Sequence, residues 1–125
     1  CALPISTPAG QWHELGALVA TATAAAQGWH ATYLGPNLPA DDIAAAVTQT
    51  RANVFALSIV YPGDDPNVGH ELRKLRRALG DAATILVGGR AAGNYQRVIE
   101  EIGATRIQDI VHLRLELDSL RTNRS

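Results

Sequence analysis

The chain alternates short, nearly continuous apolar runs with longer stretches in which apolar residues recur every three or four positions. The first pattern predicts strands and the second predicts helices. Ala2–Ile5 reads as a first strand, weakened by Pro4. Glu14–Gln27 predicts a helix with Leu15, Leu18, Val19 and Ala22 on one face, stopped at Gly28. His30–Leu34 is a second strand, ended by Gly35-Pro36; a helix then begins at Pro39, with Asp41 and Asp42 in its first turn and Ile43 and Val47 inward. Val54–Val60 is the strongest strand, apolar almost throughout, as expected of a strand covered on both faces. A third helix carries Val68, Leu72, Leu75 and Leu79, and ends at Gly80. Thr84–Val87, closed by Gly88-Gly89, is a fourth strand, and Ala92–Ile102 a fourth helix. Thr105–Ile107 is a short fifth strand before a last helix, capped by Asp109, with Ile110, Leu113, Leu117 and Leu120 on one face.

Five strand–helix units without hairpin signals predict an α/β domain with a parallel sheet and helices on both faces. Right-handed crossovers make the flavodoxin-like (Rossmann-like) strand order 2-1-3-4-5 the natural expectation. Its crevice opens at the C-terminal ends of strands one and three, beside His13 and Ser58.

Composition narrows the picture. At 125 residues the chain fits one domain, expected to span 1–125 and, lacking an initial Met, to be a piece of a longer protein. Eleven basic against twelve acidic side chains leave no global field for nucleic acid or an anionic membrane, so direct nucleic-acid contact by this segment is not expected. No apolar stretch is long enough for a bilayer, and a cytoplasmic protein is the default expectation. The single cysteine, Cys1, excludes an internal disulfide.

Three features converge on the crevice edge: Gln11-Trp12-His13-Glu14-Leu15-Gly16 at a loop-to-helix passage, Ser58-Ile59-Val60 at the end of strand three, and Gly88-Gly89 after strand four. Taken singly, each has a plain reading, as a surface histidine, a strand end and a turn. Common functions of this fold can be tested directly. A phosphoacceptor receiver needs carboxylates where this chain has Ser6-Thr7 and Ser58. A flavin phosphate loop only half fits Ser6-Thr7-Pro8-Ala9-Gly10, because Pro8 removes an amide donor. The G-x-G-x-x-G fingerprint is absent.

His13-x-x-Gly16, Ser58-x-Val60 and Gly88-Gly89 together resemble the D-x-H-x-x-G … S-x-L … G-G pattern of cobalamin (vitamin B12)-binding domains, at matching intervals over nearly the whole chain. The resemblance implies His13 as lower ligand to cobalt in place of the cofactor's own base. It also implies a nucleotide tail in a slot lined by Ser58 and edged by Gly16, Gly88 and Gly89. Neutral imidazole suits such a metal, in competition with protonation. Two positions depart from the pattern. Gln11 replaces the Asp that accepts the histidine's other N–H and offers a weaker, uncharged acceptor. Val60 replaces the Leu, a minor change of volume. Trp12 either shields the ligand side from water or packs at the rim.

Tyr61-Pro62-Gly63-Asp64-Asp65-Pro66, Glu71-Leu72, Leu75-Arg76 and Gly88-Gly89-Arg90-Ala91-Ala92 with Tyr95 are similar to the C-terminal domain of MerR-type cobalamin-dependent, light-responsive regulators. That similarity implies a sensory module binding adenosylcobalamin or methylcobalamin, preceded elsewhere by a helical bundle and a DNA-binding domain, with a homo-oligomer as a further expectation. The alternative is a cobalamin-carrier domain or subunit of a corrinoid methyltransferase or mutase. Neither assigns turnover to this chain alone.

Overall fold

A computed structural model describes residues 2–11, 14–60 and 65–122. Five parallel strands, β1 (Ala2–Ser6), β2 (His30–Tyr33), β3 (Val54–Ser58), β4 (Thr84–Gly88) and β5 (Thr105–Arg106), form one sheet in the order β2-β1-β3-β4-β5. Between and after them run α1 (Leu15–Ala26), α2 (Ala40–Thr50), α3 (Pro66–Leu79), α4 (Gln96–Glu101), entered through a 3-10 turn at Ala92–Tyr95, and α5 (Ile110–Thr122). The predicted architecture and strand order are the ones found. Among the described residues, no helix is long and apolar enough to cross a membrane.

Pro4 sits inside β1, opposite Thr32 of β2. It is tolerated because pairing with β3 begins only at Ile5 and Ser6, beyond the residue that has no N–H to give. The two-residue β5 is shorter than its predicted run, and β3 ends at Ser58 rather than Val60. Beyond Ser58 the chain still tracks β4, with the Ile59 N–H donating to the Gly88 carbonyl at 2.9 Å.

Alternation along the strands divides the core in two. Phe55, Leu57, Ile85 and Val87 point to the side covered by α2, α3 and α4, where they meet Ile43, Leu72, Leu75 and Ile99. Leu3, Ile5, Val54, Ala56 and Leu86 point to the side covered by α1 and α5, with Ala17, Ala24, Trp29, Leu113 and Leu117. The helix α3 starts as its sequence suggests. The Asp65 carboxylate accepts from the Asn67 N–H at 2.9 Å, and Pro66 follows in the first turn.

One expectation is overturned in detail. Leu15, Leu18 and Val19 of α1 are exposed, and the buried residues of that helix are Ala17 and Ala24. The reason is close approach: α1 lies on the sheet through its alanines, which bring the two backbones together, and its larger side chains stay outside. Ile110, predicted on the inward face of α5, is likewise exposed, whereas Leu113 and Leu117 are buried.

Candidate functional site

Toward the C-terminal edge, the side chains facing α1 and α5 shrink. On β3 the series is Val54, Ala56, Ser58; on β4 it is Leu86, then Gly88. Small residues on the helix opposite, Gly16, Ala17 and Ala20, continue the deficit. The result is a cavity of about 820 Å³ between α1, α5 and the sheet, walled by Ile5, Ala56, Leu86, Ile107 and Leu113 and opening at the strand ends. That size and this mainly apolar wall with a few polar groups are those of a small-molecule or cofactor site.

The far end of the slot is closed. Gln27 Nε2, just past α1, donates to the Arg114 carbonyl at 3.0 Å and to Asp118 Oδ1 at 2.8 Å, and Arg121 donates to the Gln27 carbonyl. The mouth instead has apolar lips: Leu15, Val19 and Ile110 line it while exposed to solvent.

Ser58 is buried on the slot wall, and its Oγ has no hydrogen-bond partner among the described residues. A buried hydroxyl without a partner is costly, so its presence points to a polar group supplied from outside the described residues. Gly16 faces it closely: a Cβ there would stand 3.1 Å from Ser58 Oγ. Gly88 lines the slot, where a side chain would make only ordinary contact with Ile107. At Gly89 the demand is internal. Its φ is +103°, and a Cβ would come within 2.3 Å of the Ile59 carbonyl oxygen, so the turn after β4 is pressed against the extension of β3.

Gln11 is buried, and its Oε1 accepts from the Val60 N–H at 2.9 Å. This side chain therefore ties the loop after β1 to the end of β3, a role that sequence spacing alone did not disclose. The same loop is held by Thr7, whose hydroxyl donates to the Gln11 carbonyl at 2.6 Å and accepts from the Asn37 N–H at 2.7 Å. On the far side of the loop, the Tyr33 hydroxyl donates to Glu14 Oε1 at 2.6 Å. Burial, then the hydrogen bond and charge of Glu14, push the Tyr33 phenol above its ordinary pKa, so it stays a donor. Trp12 and His13, both nominated from sequence, lie outside the described residues, as do residues 61–64.

Of the other nominated residues, Gly16, Ser58, Val60, Gly88 and Gly89 are brought together around the slot, and Gln11 is bonded to Val60. Sequence reasoning missed the apolar walls and Arg90 at the mouth. The available signal was the small residue at the last inward position of both central strands.

A doubly wound sheet with a cofactor-sized slot at its C-terminal edge defines a ligand-holding α/β domain. Residues 3–111 match the model of the B12 binding domain, and the chain belongs to that family. It is 34% identical over 90 residues to the HTH-type transcriptional repressor CarH of Myxococcus xanthus, covering 72% of this chain and 30% of that protein. To the HTH-type transcriptional repressor CarA of the same organism it is 32% identical over 100 residues, covering 80% of this chain and 34% of that one. The chain thus spans about a third of the length of the relatives it matches. In structure it is similar to the methanol:cobalamin methyltransferase complex MtaBC of Methanosarcina barkeri, with a TM-score of 0.81 at 17% identity, over 95% of this chain and 45% of that one. That likeness concerns the fold.

Proposed function

We propose that this domain binds cobalamin as the sensory module of a transcriptional regulator, with the cofactor's nucleotide tail in the slot between α1 and α5 and His13 as lower ligand to cobalt. The observation that carries the reading is the buried Ser58 hydroxyl, without a partner among the described residues, in a slot whose lips are exposed leucine, valine and isoleucine. A flat, mostly apolar ring with a hydrogen-bonding nitrogen would satisfy both features at once. Gly16 gives that ring room beside Ser58, and the alanines of α1 set the width of the slot. Bound there, the cofactor would supply a cobalt centre whose upper ligand is exchangeable or cleavable by light.

The remaining residues hold the scaffold of this site. Gln11 and Thr7 fix the chain just before residues 12–13, and Glu14, anchored to Tyr33, fixes it just after them. Gln11 brings no charge to the histidine, so the imidazole is expected to be a weaker donor than one backed by a carboxylate. The regulatory half of the proposal draws on the two repressors. An upstream helical bundle and DNA-binding domain, a cytoplasmic location and self-association belong to it as well.

The test is an absorbance titration with adenosylcobalamin and hydroxocobalamin, in the dark and after green light, with His13→Ala beside the wild type. The reading expects a wild-type spectrum distinct from the free cofactor and altered by the substitution. Identical spectra with free-cofactor features in both proteins would sink histidine ligation. Binding of adenosylcobalamin without any light response would remove the photoreceptor role and favour a carrier domain of a methyltransferase or mutase.

A further inference from the structure

We propose that Arg90 reads the negative charge of the ligand, making the slot selective for an apolar ring carried on a phosphodiester. The inference rests on the cobalamin reading and adds which part of the cofactor this chain recognises by charge.

Among the described residues, three charged ones line the slot: Arg90, Arg106 and Asp109. Two of them have hydrogen-bond partners. Asp109 Oδ1 accepts from the His112 N–H at 2.8 Å, capping α5. The Arg106 guanidinium lies against Gly93 and reaches Gln96 Oε1 at 3.5 Å. Arg90 is exposed at the mouth and makes no hydrogen bond or ion pair among the described residues. Among the described residues, the slot therefore combines an apolar wall with a cation at its entrance, Arg90, that has no hydrogen-bond or ion-pair partner.

The backbone that carries Arg90 is fixed. The Gly88 carbonyl accepts from the Ile59 N–H at 2.9 Å, and the Ile59 carbonyl accepts from the Ala91 N–H at 3.0 Å. Between these bonds, Gly89 holds the conformation that lets the turn lie flat on β3's extension. Arg90 thus has a set origin, and only its side chain adapts. A guanidinium presents paired donors that match two phosphate oxygens, and its attraction is less screened beside an apolar wall than in open water. The tail of cobalamin joins its benzimidazole to the corrin through a ribose phosphodiester, a monoanion that must pass the mouth when the ring is in the slot. Cobinamide, the same corrin without ring, ribose and phosphodiester, offers Arg90 nothing of the kind.

The experiment compares hydroxocobalamin with diaquocobinamide as ligands of wild type, Arg90→Gln, Arg90→Lys and Arg90→Glu, by absorbance titration at low and high salt. Removing one charge-assisted contact should weaken cobalamin binding by about tenfold in Arg90→Gln. The loss should be larger in Arg90→Glu and partly restored in Arg90→Lys, with cobinamide affinity unchanged throughout. Salt should weaken cobalamin binding to wild type more than to Arg90→Gln. Equal loss for both ligands, or no loss for either, would overturn the role of Arg90 while leaving cobalamin binding intact. Wild type that binds neither ligand would overturn the cobalamin reading itself, and the role of Arg90 with it. Thermal melts of each variant establish that it is folded, and the wild-type salt dependence tests the charge without any substitution.

Discussion

The two faces of the sheet are built from the same strands and packed to different ends. Toward α2, α3 and α4, the inward positions of β3 and β4 carry large side chains, and Phe55, Leu57, Leu72, Leu75 and Ile85 are each almost completely buried. Toward α1 and α5, the inward residues dwindle to Ala56, Ser58 and Gly88, and a cavity of about 820 Å³ remains. One face is a finished core; the other keeps a cofactor-sized hollow. Because alternating residues of a single strand serve both, β3 can supply rigidity from Phe55 and Leu57 while Ala56 and Ser58 leave room.

The contrast is open to direct challenge. Its largest consequence is that truncating the filled face should be far more damaging than truncating the lips of the slot. Leu72→Ala removes a fully buried side chain and should cost about 2–5 kcal/mol, whereas Leu15→Ala, at an exposed position, should stay within about 0.5 kcal/mol. Chemical denaturation of both variants decides, and comparable losses would erase the distinction between the faces.

Next in size is Gly89→Ala. With φ at +103° and a Cβ directed at the Ile59 carbonyl, it should destabilise the apoprotein by about 1–3 kcal/mol and displace the β4 turn. An unchanged melting temperature would mean that the turn relaxes freely.

Ser58→Ala probes the open face with a smaller and opposite effect. Removing a buried hydroxyl that has no partner among the described residues should leave apoprotein stability unchanged or raised by up to about 1 kcal/mol, while cobalamin binding weakens by about three- to tenfold. Loss of stability without loss of binding would assign Ser58 to packing.

The smallest effect belongs to the surface of the filled face, where Arg73 Nε meets Glu101 Oε2 at 2.7 Å. The hydrogen bond from Arg73, the main cause, and its charge hold the Glu101 carboxyl below its ordinary pKa. A depressed carboxylate contributes stability at neutral pH and loses it as pH falls through its folded pKa. Arg73→Gln should therefore be slightly less stable than wild type at pH 7 and equal to it in strong acid, as pH-dependent melts would reveal. Both groups are exposed to solvent, so the difference should also shrink with salt.

How much of this was legible differed between the two faces. The filled face declared itself in sequence: Val54–Val60 is apolar except for Ser58, and Leu72 and Leu75 repeat at helical spacing, so strand order and core followed from pattern and handedness. The open face misled. From Leu15 to Ala26, α1 has no charged residue, so its sequence carries no polar side from which to tell inside from outside, and the leucines drew the eye to the exposed face. Of the site, the glycines and Ser58 were legible as motif positions. The Gln11–Val60 bond and the placement of Arg90 were not, because both depend on bringing distant strand ends together. Gln11 was expected as the partner of the His13 ring, which lies outside the described residues; what the structure adds is its hydrogen bond to Val60 across the crevice.

The slot also has a consequence for the abundance of the protein. A ligand held by the folded chain and not by the unfolded one adds stability in proportion to the logarithm of its concentration, about 2.7 kcal/mol at a hundred times the dissociation constant. Chains made when the ligand is scarce would then spend more time open to proteases than chains made when it is plentiful. The hollow beside Ser58 would in this way couple the lifetime of the protein to the supply of what it binds, before any signal is passed on.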